Sequence, residues 1–308
     1  MKKHLSLKGV FPIVATPFTP EGEVDFDSFE NLITVLARGG CDALTLFGIA
    51  GEFYKLTDAE KQTMAEVLVA RCRALGVPSI VSVTDHATEV AVKSARRFAD
   101  LGADCLMVLP PYFLKPGAAA VEAHLRAIAS AVPETPLMLQ YAPEQTGVAI
   151  PPAVFATLAR DFGNARDFKI ECKPVGPYLS KLLEMTEGLD LRGHVGNAGY
   201  NMLEAYDRGA VGVMPGCSMF DLYLKIHQAH IGGDRQTSLR LHTALLALLN
   251  QIRQDVEMII AFEKIILHRR GIIASATCRR PTHSPDRYAM ALFETLYTEI
   301  EPLLEPLA

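Results

Sequence analysis

Along most of the chain, short apolar runs rich in β-formers alternate with longer stretches whose apolar residues recur at helical spacing. Runs at 10–18, 43–48, 79–84, 105–110, 137–142, 167–171, 191–196 and 211–216 predict strands. Stretches near 27–38, 58–75, 88–101, 117–131, 151–162, 177–187, 199–208 and 219–230 predict helices. A strand followed by a helix, eight times over, predicts parallel strands joined by crossovers, and eight such strands close into a (β/α)8 barrel of the TIM type, an α/β fold. Local signals agree. Thr57-Asp58-Ala59-Glu60 is a capping box, and Gly76, Gly102, Gly188 and Gly209 follow helical patterns where a left-handed cap calls for glycine. The segments RGGCDALTLFG, DLGADCLMVLP and DRGAVGVMPG echo one another, each running from a helix end through a glycine turn into a strand. After residue 231 the alternation stops. Two helical stretches, 236–269 and 285–304, read as helices appended to the barrel, so 1–231 is assigned to the barrel and 232–308 to extra helices of the same domain. An open doubly wound sheet is the competing fold, disfavoured because no GxGxxG turn follows an early strand.

Composition narrows the function. Hydrophobic residues make up 49 % of the 308, enough for one large core. A net charge of −5 gives no electrostatic basis for nucleic acid or an anionic membrane as a partner. The six cysteines are scattered without a CxxC pair, which predicts buried, reduced thiols. The opening segment lacks the apolar core of a signal peptide, and no charge-free apolar run is long enough to span a bilayer, so the expected location is cytoplasmic.

In barrels of this kind the chemistry sits at the carboxyl ends of the strands. The sixth strand, Asp167-Phe168-Lys169-Ile170-Glu171, alternates polar and apolar residues. Its period of two puts Asp167, Lys169 and Glu171 on one face and Phe168 and Ile170 on the other. The apolar pair must face the helices, so the polar face points inward. Burial disfavours the charged form of an amine, and a neutral amine can attack a carbonyl to form a Schiff base. A purely structural Lys–Glu pair is the alternative, and Lys173, just before Pro174, is the rival amine. Asp85-His86 reads as a hydrogen-bonded loop, and His124, His227 and His230 as surface residues of helices. No HExxH motif or carboxylate cluster indicates a metal. Gly193, Gly196 and Gly199 cluster near the seventh strand, where they allow close approach to a ligand or serve as turn glycines.

Together these residues resemble the dihydrodipicolinate synthase / N-acetylneuraminate lyase family of class I aldolases over nearly the whole chain. Gly48-Ile49-Ala50-Gly51-Glu52 stands at the family's glycine–hydroxyl–hydroxyl–glycine–glutamate loop. Pro111-Tyr112-Phe113 matches its proline–tyrosine loop, Leu139-Gln140-Tyr141-Ala142-Pro143 its strand-five segment, and Lys169 its Schiff-base lysine. The resemblance implies a 2-oxo acid substrate such as pyruvate, an imine on Lys169 acting as electron sink, no metal or other cofactor, and a homo-oligomer, usually a tetramer. On this basis Lys169 and Glu171 are the expected catalytic residues. Gly48, Ile49, Ala50, Gly51, Gln140, Tyr141, Gly196 and Met214 are the expected substrate-binding ones.

The chain also departs from the family pattern. Ile49 and Ala50 replace the two hydroxyl residues, leaving only backbone N–H groups there. Gln140 stands where the family has its acid/base tyrosine, and Tyr141 points to the opposite face. Phe113 replaces a second tyrosine, and Gln145 an arginine. The expected function is therefore a carbon–carbon or carbon–oxygen lyase of the Schiff-base type acting on a 2-oxo acid, with acid/base work moved to Glu171 or to groups of the substrate. The alternatives are 4-hydroxy-tetrahydrodipicolinate synthase itself, or a barrel that binds a small carbonyl compound without turnover.

Overall fold

The computed structural model describes residues 6–306. Eight strands occur in chain order: β1 (Gly9–Val10), β2 (Leu44–Leu46), β3 (Ser79–Val83), β4 (Cys105–Val108), β5 (Leu137–Tyr141), β6 (Ala165–Ile170), β7 (Arg192–Val195) and β8 (Gly212–Val213). Helices separate them, and three further helices, Arg235–Ile252, Val256–Arg269 and Arg287–Ile300, follow the helix Phe220–Ile231. The chain divides into two compact units, one built on Pro78–Met214 and the other on Gly9–Val77 with Pro215–Ala308.

In the Pro78–Met214 unit, β3 to β8 pair in parallel, each with the next. These strands are buried on both faces, as parallel strands flanked by helices must be. Phe168 shows how the outer face is held. Its ring packs 5.2 Å from that of Phe155 on the helix Pro152–Asp161. Burying such a side chain is worth ~1.5–3 kcal/mol. The predicted helices at 58–75 and 88–101 are found with those bounds.

In the other unit the first predicted strand, 10–18, shrinks to Gly9–Val10, with isolated bridges from Ile13 to Thr45 and Gly216 and from Phe18 to Val24. Pro12 and Pro17 have no N–H to give a ladder, which is the physical reason. The predicted helix 236–269 is two helices. Asp255 interrupts it, and its carboxylate accepts the Met258 N–H at 2.8 Å as the cap of a new start. The Thr57–Glu60 capping box is present, with both reciprocal bonds. The five cysteines Cys41, Cys72, Cys105, Cys172 and Cys217 are buried and Cys278 partly so, none in a disulfide.

Two histidines assigned to the surface are corrected. His124 and His227 are buried, and burial lowers the pKa of each. Among the described residues no helix is long and apolar enough to cross a membrane.

Candidate active site

The register of β5, β6 and β7 sets Gln140, Lys169 and His194 side by side. In-register residues of parallel strands point to the same face, so these three form one layer. Lys169 is only 3 % exposed, and Phe168 and Ile170 face away from it as the alternation requires. One step earlier along the strands lies a second polar layer. Asp167 takes two bonds from Arg192, at 2.9 and 2.8 Å, and its Oδ1 is 2.8 Å from His194 Nε2. These hydrogen bonds outweigh burial and hold the Asp167 carboxyl below its usual range, although burial is the largest single influence. Sequence reading placed Asp167 on the inner face but missed its partners. Arg192 and His194 alternate on β7 just as Asp167 and Lys169 do on β6, and that shared period was the available signal.

Glu171 follows β6 and reaches back over the layer. Its Oε1 is 3.4 Å from Lys169 Nζ and accepts the Asn197 N–H at 3.0 Å; its Oε2 accepts from Gln140 Nε2 at 2.5 Å. The carboxylate is therefore held by an amide and a backbone N–H, while its contact with Lys169 Nζ is longer than a good N–H···O bond. Two residues along a strand leave a backbone gap of roughly 6.5–7 Å between Lys169 and Glu171. The side chains close it.

Two features make room for this arrangement. A Cβ on Gly196 would overlap the side chain of Glu171, so Gly196 serves the carboxylate directly. Next to it, Asn197 (φ 59°) and Ala198 (φ 55°) adopt left-handed backbone, which costs a non-glycine residue ~1–2 kcal/mol. That turn is what aims the Asn197 N–H at Glu171. Lys173 is about half exposed and pairs with Glu144 at 2.9 Å. Tyr141 is not brought to the Lys169 layer. It stacks on Tyr178 with ring centroids 4.4 Å apart and meets Phe155 edge-on, against the helices. Met214 is buried, its N–H bonded to Val195 O at 2.9 Å.

The predicted Gly48–Gly51 loop follows β2 in the other unit. Ile49–Gly51 forms a 3-10 turn, and Thr16 donates its hydroxyl to Gly51 O at 2.6 Å. A Cβ on Gly48 would overlap Ile13. Glu52, fully buried at φ 59°, ends the turn and binds Lys55 (3.0 Å) and Lys264. Among the described residues no group of three or more potential metal-ligating side chains occurs.

The model of the dihydrodipicolinate synthetase family matches residues 6–296, and the chain belongs to that family, one of Schiff-base aldolases and dehydratases. A 4-hydroxy-tetrahydrodipicolinate synthase of Synechococcus sp. (strain CC9311) is 34 % identical over 248 residues, 78 % of this chain and 80 % of that protein. An L-2-keto-3-deoxyarabonate dehydratase of Azospirillum brasilense is 27 % identical over 303 residues, 96 % of each chain. The crystal structure of a dihydrodipicolinate synthase from Rhodopseudomonas palustris superposes with a TM-score of 0.87 at 26 % identity, covering 95 % of this chain and 97 % of that one. The fold is the (β/α)8 barrel expected from the alternation, with added C-terminal helices.

Proposed function

We propose that the protein is a lyase for a 2-oxo acid, working through an imine on Lys169, with Glu171 as the group that moves protons at the carbon beside it. The observation that carries this reading is the Lys169–Glu171–Gln140 arrangement. A buried amine stands beside a carboxylate whose position is fixed by other donors, so the amine can be consumed without the carboxylate moving. Lys169 attacks the ketone of the substrate, the C–N bond forms, and the ketone oxygen leaves as water. The resulting iminium withdraws electrons from C2, and Glu171 takes a proton from C3. The enamine electrons then expel a hydroxyl from C4, which takes the proton from Glu171 and leaves as water; in aldol cleavage the iminium instead accepts the electrons of the C3–C4 bond while Glu171 takes the proton of the C4 hydroxyl. Hydrolysis of the imine restores the lysine. The dehydratase from Azospirillum brasilense is the precedent for elimination among the relatives.

Gln140 supports the same division of labour. An amide does not shuttle protons near neutral pH, but it is a good anchor for a carboxylate. The test is reductive trapping. Pyruvate, and separately a 3-deoxy-2-oxo sugar acid, is incubated with the protein and borohydride, and the labelled peptide is identified by mass. Label on Lys169, lost in Lys169→Ala, is the expected result. Label that persists in Lys169→Ala, or that falls on Lys173 alone, overturns the assignment.

A further inference from the structure

Next to Lys169, the Pro78–Met214 unit buries a set of charges that the proposed reaction does not use. Asp167 and Lys169 are alternate residues on one face of β6, so their backbones lie roughly 6.5–7 Å apart. Asp167 is fully buried and Lys169 nearly so, where a charge is weakly screened. A carboxylate left bare at that range would favour the ammonium form of Lys169, and only the neutral amine attacks a carbonyl. Glu171 already supplies one carboxylate, at 3.4 Å from Nζ.

Strand β7 engages the second one. Arg192, opposite Asp167 in register, meets both of its oxygens, Nε at 2.9 Å and Nη2 at 2.8 Å. His194, opposite Lys169, has Nε2 at 2.8 Å from Asp167 Oδ1. These bonds hold the Asp167 carboxyl below its usual range although burial opposes them. An ionised carboxylate only accepts, so His194 donates. A guanidinium fork fits a carboxylate at two points, which fixes its direction as well as its charge. Both oxygens of Asp167 are thus engaged on β7, while the Lys169 amine meets Glu171. The other neighbours within the unit add little. On β5, Met138 and Gln140 stand opposite Asp167 and Lys169, and on β8 Gly212 stands opposite His194. The Cys105 thiol of β4 feels Asp167 and Arg192, but burial pushes it up and keeps it neutral. Asp190, 84 % exposed, meets Arg192 Nη1 at 2.8 Å from the solvent side.

We propose that Arg192 is a positioning residue for the Lys169 chemistry: by engaging Asp167 on β7 it withdraws a carboxylate's charge from the amine and leaves Lys169 ready to attack. The assignment rests on Lys169 being the reacting amine of the proposed lyase.

Competitive trace acetylation reads this without any 2-oxo acid. The full chain is pulsed with acetic anhydride from about pH 6 to about pH 11, spanning an ordinary lysine, beside a free-amine standard. The peptide holding Lys169 is quantified by mass, which gives the midpoint pH of its labelling. Arg192→Met leaves Asp167 without its guanidinium and should raise the midpoint by about one to two pH units, the effect of one charge at ~7 Å in a partly screened interior. Asp167→Asn leaves Arg192 without its inner carboxylate and should lower the midpoint. Asp167→Asn combined with Arg192→Met removes the pair whole, a change buried ion pairs tolerate, and should return the midpoint close to wild type. Arg192→Lys, which keeps the charge without the fork, should fall between wild type and Arg192→Met. A merely structural pair would move the two single variants in the same direction or not at all. Either result, or a double variant that stays shifted with Arg192→Met, overturns the proposal. Should one single variant fail to fold, the other and the double variant decide. Trapping with pyruvate and borohydride forms a separate arm on the wild-type protein. Failure to label Lys169 there defeats the lyase reading, while the acetylation midpoints still judge Arg192.

Discussion

Each of the two compact units buries a lysine beside a glutamate, and the surroundings of the two lysines differ. Lys264, on the helix Val256–Arg269, is ion-paired with Glu52, donates to Thr277 O at 3.0 Å and sits 4.2 Å from the centre of the Phe18 ring. Lys169 stands 3.4 Å from a glutamate whose short bonds go to other donors. Burial lowers the pKa of Lys264, with Glu52 pulling the other way. By proton affinity alone Lys264 would be a tempting nucleophile. Geometry argues the reverse, because an ammonium engaged by a carboxylate, a carbonyl and an aromatic face has no direction left for attack on a carbonyl. The helix starts show a parallel contrast. In the unit holding Lys264, the carboxylates of Asp25, Asp234, Asp255 and Asp286 accept helix N–H groups. In the unit holding Lys169, the helices after β3, β4, β5 and β6 start at Ala87, Gly117, Pro151 and Pro174, with no side-chain cap bond. Each missing cap forgoes about 1 kcal/mol.

The sharpest way to break this comparison is to remove each lysine in turn. Lys169→Met should abolish both borohydride labelling and turnover while the protein stays folded. Retained labelling would make the wrong lysine the reactive one. Glu171→Gln should still trap a 2-oxo acid on Lys169 but lose turnover by a factor of about 10²–10⁴, the usual size of a general acid/base contribution. The new amide cannot accept from both Gln140 and Asn197 without turning its own NH2 on one of them, so the loop at Asn197 should also loosen. Undiminished kcat in this variant removes the catalytic role. Lys264→Met should leave labelling intact and cost ~3–5 kcal/mol of stability, because Glu52 then keeps a buried charge with one partner fewer. Urea denaturation measures that loss.

A smaller effect applies to both units. The pKa values of His124 and His227 are depressed on folding from the ordinary 6.5, so the unfolded chain takes up protons first. Stability should be fully present above about pH 6.5 and fall as pH drops below it. His124→Phe should flatten part of that slope in a Tm-against-pH series, and an unchanged slope would show that His124 does not contribute. The smallest change is Ala198→Gly. It removes the left-handed penalty but adds chain entropy, for a net gain of about 0.5–1 kcal/mol with turnover retained.

Much of this was legible in the chain. The alternation in Asp167–Ile170 fixed which way Lys169 points, because β-strand geometry is local and has a strict period. The helices at 58–75 and 88–101 were readable to the residue, since a capping box and C-terminal glycines bound them. Two kinds of feature were harder. The Asp167–Arg192–His194 cluster joins two strands 25 residues apart, and only register reveals it. The burial of His124 was available and overlooked. Val121, His124, Leu125 and Ile128 are spaced as one helix face, and the polarity of the imidazole hid its membership of that face. The anchoring of Glu171 by Gln140 was invisible for a different reason, since it depends on where two side chains end rather than on where they begin.

The absence of a side chain at Gly196 ties two distant positions into one heritable unit. A methyl group there evicts the Glu171 carboxylate, and a shorter residue at 171 leaves the space beside Gly196 unfilled. Drift at either site alone is therefore penalised, while a paired exchange, a larger residue at 196 with a smaller one at 171, passes. Relatives that have abandoned glycine at this point of the seventh loop should also have abandoned glutamate after the lysine, and with it this way of moving the proton.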